Sequence, residues 1–230
     1  YEDALVWMKK YRDSAVKLAA MDRNNFDWQR EAAYGYHNMA VMDHRLGRYA
    51  SAEQAMLAEK ALYEQWLPLH PKDYDLRYEA ANVDSFLGSL ALLQGRLKDA
   101  ENYFNAQAQA IQYNLEADSG NAKWKEIRMD AYLLLIEVVS MQGRRAEANR
   151  LAAEALLLAK SLHALDASNI IWSTSLGQCY FRMADTALTK AEAIKHLELS
   201  EQFLRESHSK DAKSEYYARW LTKVLVAKAE

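Results

Sequence analysis

The chain of 230 residues has one cysteine, two prolines and seven glycines. With Cys179 alone, neither a disulfide framework nor a cysteine-based zinc site can form within one chain. So little Pro and Gly, set against abundant Ala, Leu, Glu, Lys and Gln, predicts long helices joined by short connections. Charge excess is also missing. There are 29 basic and 32 acidic residues, a net charge of −3, so the basic surplus that nucleic acid demands is absent. The first 115 residues carry 13 basic and 16 acidic groups and the remainder 16 of each, so neither half is a charged tail. Long apolar runs are absent too. The strongest, "AYLLLIEVVSM", is short and is interrupted by Glu137, which argues against a membrane span. The opening residues show no signal-peptide pattern, and a start at Tyr1 without Met reads as a piece of something longer.

Half of the residues are apolar, enough for a substantial core, and their organisation is periodic. "LGRYASAE", "QGRLKDAE" and "QGRRAEAN" place glycines at Gly47, Gly95 and Gly143, in steps of 48. Trp124, Trp172 and Trp220 keep the same step; going back from Trp124 gives Leu76 and then Trp28, where "WQREAA" matches "LRYEAA". Asn25, Asp73, Asn121 and Asn169 lie three residues before these positions, and Asp118 and Asp166 supply a further match. Several markers in one phase define a repeat.

Each repeat reads as a helical hairpin. Between Trp28 and Leu46 apolar residues recur at helical spacing (Tyr36, Met39, Ala40, Met42, Leu46), Gly47 permits a sharp turn, and a second helix runs from about Tyr49 to Leu67. Pro71 stops the helix. Asn or Asp before the next Trp is suited to cap the following helix with its side-chain oxygen. In the fourth hairpin Ala191 stands 48 residues after Gly143, and "TKAE", Thr189 to Glu192, reads as a capping box that starts the second helix. The strict period assigns Trp28, Trp124, Trp172 and Trp220 to packing between hairpins rather than to an aromatic cage, with Trp124 and Trp172 expected to be largely buried.

Gly47, Tyr49 and Ala52, or Gly95, Leu97 and Ala100, give an order that resembles the tetratricopeptide repeat, and Leu87 with Gly88 matches that family's Leu-Gly pair. The units here are roughly 14 residues longer than the family's 34, about two further turns per helix. Ala40, Ile136 and Ala184 replace Gly88 in the other copies, and the family's final Pro occurs only as Pro71. Long units with an Asn-x-x-Trp joint look like arrays beside signalling or regulatory domains of bacterial multidomain proteins. The resemblance covers essentially the whole chain. It implies an all-α, right-handed superhelical solenoid of antiparallel hairpins with about ten helices, in one domain: a half-unit 1–24, repeats 25–72, 73–120, 121–168 and 169–212, and a half-unit 213–230.

It further implies a concave wall of first helices that engages a partner's peptide segment or helix without chemistry or cofactor. Mapped from the turns, that wall holds Arg30, Tyr34, His37, His44 and Arg45 in the first hairpin and Tyr78, Asn82, Ser85 and Ser89 in the second. The third hairpin contributes Glu126, Asp130, Leu133 and Glu137, and the fourth Gln178, Phe181 and Asp185. On this mapping the wall is basic and aromatic at one end and acidic at the other, which suits a partner of opposite polarity, or else is simply a solvated face.

Catalytic patterns are missing. The six histidines form neither His-Glu-x-x-His nor Glu-x-x-His, and there is no Gly-x-Ser-x-Gly or Gly-x-Gly-x-x-Gly. His37 and His44 share a face, but with no carboxylate at matched spacing they read as polar surface rather than as a metal pair. Cys179, on an amphipathic helix beside Tyr180, reads as a small buried hydrophobe. The expectation is a non-enzymatic protein-interaction scaffold, a module of a bacterial signalling or regulatory protein. It would bind protein or peptide, with no nucleic acid and no membrane contact by these residues. The alternative is a sensory module that takes a small molecule and drives an attached effector domain. A cytoplasmic setting is the default, a position behind a membrane anchor the alternative, and oligomeric state is left open.

Overall fold

A computed structural model describes residues 2–229. Among these the chain is all-helical, with ten helices: α1 (Glu2–Met21), α2 (Phe26–Arg45), α3 (Tyr49–Trp66), α4 (Tyr74–Leu93), α5 (Leu97–Ala117), α6 (Ala122–Met141), α7 (Arg145–Leu165), α8 (Ile170–Thr186), α9 (Lys190–Lys210) and α10 (Glu215–Ala229). They divide into two compact units within α5, after Ala110.

The joints follow from local chemistry. The side chains of Asn25, Asp73, Asn121 and Asn169 each accept the backbone N–H three residues on, from Trp28, Leu76, Trp124 and Trp172, at 2.9 to 3.4 Å. Such a cap is worth about 1 kcal/mol. Gly47, Gly95 and Gly143 adopt φ of 74°, 72° and 77°, the left-handed region that favours glycine. In each case the glycine N–H returns to a carbonyl three residues back, and the following arginine N–H returns to the one five back. Arg48 N to Asp43 O is 2.8 Å, and Arg96 N to Ala91 O and Arg144 N to Val139 O are both 2.9 Å. This double closure is the Schellman motif.

The fourth hairpin departs from the sequence reading. α8 has 17 residues where α2, α4 and α6 have 20, so its turn falls at Ala187 to Thr189 and Ala191 lies inside α9 instead of at the turn. Thr189 accepts from the Glu192 N–H at 3.2 Å, while its own hydroxyl donates to Glu192 Oε2 at 2.9 Å, so this hydroxyl-to-carboxylate bond closes the cap. The shortening by about one turn shifts everything after it. Leu197, Ser200, Leu204 and Ser207 are the buried stripe of α9, 45 residues after Ala152, Ala155, Ala159 and Leu162. By the same shift Trp220, sixth in α10, is out of step with Trp124 and Trp172, each third in its helix.

In the first unit the core joins Ala33 and Ala40 of α2, Ala52, Met56, Tyr63 and Trp66 of α3, and Leu76, Val83, Leu87 and Leu90 of α4. Gly88 lets α4 and α5 close: a Cβ there would lie 2.5 Å from the Phe104 ring. In the second unit Gly177 of α8 sits against Leu204 of α9, where a Cβ would come within 2.8 Å. Trp124 is buried, as expected. Trp172 is not, because it is half-exposed, with its indole N–H donating to Glu126 Oε2 at 3.3 Å. Trp28 and Trp220 are half-buried too.

Candidate partner-binding face

In the first unit α2 and α4 lie side by side, and a cleft of about 330 Å³ opens between them. His44 of α2 and Asn82, Ser85 and Ser89 of α4 line it, over a floor of Phe86 and Leu90. Two turns of α2 separate His37 from His44, and both imidazoles approach the Phe86 ring edge-on, with centroids at 6.5 and 5.5 Å; the Tyr49 ring lies 5.6 Å from that of His44. Ser89 returns its hydroxyl to the Ser85 carbonyl at 2.9 Å, a common resting state for a helical serine. Asn82 is half-buried beside them. The cleft thus has an aromatic and aliphatic floor with polar groups on its rim.

Arg30, Tyr34 and His37 are drawn into polar contacts that the sequence stripe omits. Glu79 of α4 receives the hydroxyls of Tyr34 (3.2 Å) and Tyr63 (3.3 Å), with Arg30 Nε at 4.0 Å. Glu59 of α3 is 2% exposed and lies 3.2 Å from His37 Nδ1. The hydrogen bond to this carboxylate raises the His37 pKa, while burial raises that of Glu59. The stripe therefore carries two carboxylates near Arg30 and His37, and its first end is less basic than the α2 residues suggest. Arg45 is exposed and Tyr78 half-buried.

In the second unit Glu126, Asp130, Leu133 and Glu137 follow one another along α6, and α8 faces them. Trp172 binds Glu126, and Arg182 Nη2 reaches Glu137 Oε2 at 3.1 Å. Asp130 is exposed, with Glu126 one turn away. Loss of hydration first, and that neighbouring charge second, push its carboxyl up to about 7. Phe181 is half-buried, edge-on to Trp220 at 6.0 Å, and Asp185 is exposed. Gln178 does not belong to an open face. It is 5% exposed and donates to the Tyr216 hydroxyl at 2.6 Å, tying α8 to α10.

Of the groups considered for chemistry, Cys179 is fully buried and its thiol pKa is driven up by that burial, which favours a packing role. Among the described residues no group of three or more His, Cys, Asp or Glu is placed to hold a metal ion, and no helix is long and apolar enough to cross a membrane. The residues that the stripe missed are Phe86 and Leu90 on the cleft floor, Glu59 and Glu79 beside it, and Arg182 opposite Glu137. Phe86 and Leu90 are apolar at helical spacing and look like core. The remaining three become legible only once helices are side by side.

No protein-family model matches the chain, and no curated protein matches its sequence. A solved structure does: the crystal structure of BtubC (BKLC) from P. vanneervenii superposes with a TM-score of 0.53 at 12% sequence identity, covering 99% of this chain and 92% of that one. At this identity the likeness is one of fold.

Proposed function

We propose that this chain is a tetratricopeptide-like interaction scaffold that binds a segment of a protein partner on its first-helix faces and performs no chemistry itself. The observation that carries this reading is the convergence of His44, Asn82, Ser85 and Ser89 on one cleft over Phe86 and Leu90. These residues come from two consecutive hairpins, and the repeat phase alone selected four of the six. A floor of this kind takes an apolar side chain, while Asn82 and the serines can hydrogen-bond the backbone around it. The α6 face of the second unit, with Glu126, Asp130 and Glu137, favours basic residues. A place in a larger bacterial signalling or regulatory protein follows from the resemblance of its long units.

The test is selection from a displayed library of 15-residue peptides. Enriched sequences should share an apolar anchor, and Ser85→Trp, which fills the cleft, should abolish their binding. Absence of enrichment, or enrichment indifferent to Ser85→Trp, would reject the reading. A small-molecule sensor would instead give no peptide enrichment and a metabolite whose binding Ser85→Trp blocks.

A further inference from the structure

A different side of α2 carries a second feature. Two adjoining clefts, of about 390 and 490 Å³, run along α2 between α1 and α3, and Tyr36 lines both. Their floor is one stripe of α2: Gln29, Ala32, Tyr36, Met39 and Asp43. From Gln29 to Asp43 this floor is about 21 Å long, equal to about four helical turns.

The walls differ in chemistry from the rest of the unit. One end is apolar, with Val16, Ala19 and Ala20 of α1 facing Leu62, Trp66 and the exposed Leu69. The charged residues lining the furrow are Lys9, Arg12, Arg23 and Arg48, against the single carboxylate of Asp43. Arg12 rests on Asp13 at 2.6 Å and Arg48 lies 3.9 Å from Asp43; Lys9 and Arg23 are exposed. This is a basic furrow in a chain whose net charge is −3. Along one wall α1 sits directly on α2, since a Cβ on Gly35 would meet the Arg12 Cα at 2.8 Å.

We propose that this furrow seats an amphipathic helix of a protein partner, with acidic residues toward Lys9 and Arg23 and an apolar stripe against Ala19, Ala20 and Trp66. Two flanking helices on a floor helix form a trough into which a further helix packs ridge into groove, and the alanines allow close approach. With Arg12 on Asp13 and Arg48 near Asp43, the exposed Lys9 and Arg23 favour an acidic partner. The site is independent of the α2/α4 cleft.

The probe is a labelled 15-residue helical peptide with leucines on one face and glutamates flanking them, compared with its lysine counterpart by fluorescence anisotropy. The acidic peptide should bind at least about tenfold more tightly. Lys9→Glu with Arg23→Glu, both at exposed positions, should erase or invert that preference, while Ser85→Trp in the α2/α4 cleft should leave it unchanged. Equal binding of the two peptides, or a preference that survives the double reversal, would overturn the proposal. Loss of binding through Ser85→Trp would assign the probe to the other cleft and overturn it too.

Discussion

The third and fourth hairpins belong to the same unit and follow the same plan, yet they solve two local problems differently. α6/α7 turns on Gly143 and buries Trp124; α8/α9 has no glycine at its turn and leaves Trp172 half-exposed. Where the glycine is lost, the preceding hairpin intervenes. Arg145 of α7 donates to the Ala187 carbonyl at 2.6 Å, and Asn149 donates to the Thr186 carbonyl at 3.3 Å. The free carbonyls at a helix end need partners from somewhere. In the third hairpin they come from the Schellman closure, and in the fourth from a neighbour. A repeat period thus fixes where a residue falls along the chain, while its environment depends on what the adjacent helix supplies.

The largest expected contrast lies between the two tryptophans. Trp124→Ala should cost about 3–5 kcal/mol through lost transfer energy and the cavity left behind. Trp172→Ala should cost about 1–2 kcal/mol, in proportion to its partial burial. Urea unfolding of both variants measures this, and equal losses would remove the distinction between the hairpins.

The turns come next. Gly143→Ala forces a Cβ into the left-handed region and should cost about 1–2 kcal/mol. Arg145→Ala, by contrast, should leave the α6/α7 turn intact and loosen the end of α8, at about 1 kcal/mol for the lost hydrogen bond. Amide exchange reads this directly: protection should fall around Ala184 to Ala187 in Arg145→Ala and around Gly143 in Gly143→Ala. Identical exchange patterns would contradict the division of labour.

A pH contrast sharpens the comparison of the two units. Asp130 is raised to about 7 by loss of hydration and by Glu126, whereas Glu59 in the first unit faces His37. A carboxyl with a raised folded pKa takes up its proton on folding. Its contribution to stability is fullest below the unfolded value near 3.8 and is lost as pH rises through about 7. Asp130→Asn should therefore flatten the decline in stability between about pH 4 and 7. A wild-type slope that persists in Asp130→Asn would show that another group titrates there.

Much of this architecture is legible in the sequence because it is set by local physics. A left-handed turn favours glycine and a free helix N-terminus favours Asn or Asp, so Gly47, Gly95, Gly143 and the four caps announce themselves. The phase then carries His44, Asn82, Ser85 and Ser89 to one cleft. It fails where a helix is shortened: Trp220 and Ala191 keep the 48-residue spacing in sequence and lose it in space, since α8 ends early. It fails also where burial is decided by neighbours. Gln178 falls on the predicted face but is sealed by Tyr216, and the carboxylates of Glu59 and Glu79 reach the α2 face from α3 and α4, outside any single-helix stripe.

Photo-crosslinking from the α2/α4 cleft tests the central claim most directly. A benzophenone amino acid at Ser89 of the full-length protein, with the same probe at the exposed Asn105 of α5 as control, should yield a discrete polypeptide adduct from Ser89 alone. Mass spectrometry should map that adduct to one segment of the partner, with an apolar residue at the linkage, and Ser85→Trp should suppress it. Equal adducts from Ser89 and Asn105, or a Ser89 adduct unaffected by Ser85→Trp, would contradict the assignment of this face as the binding site.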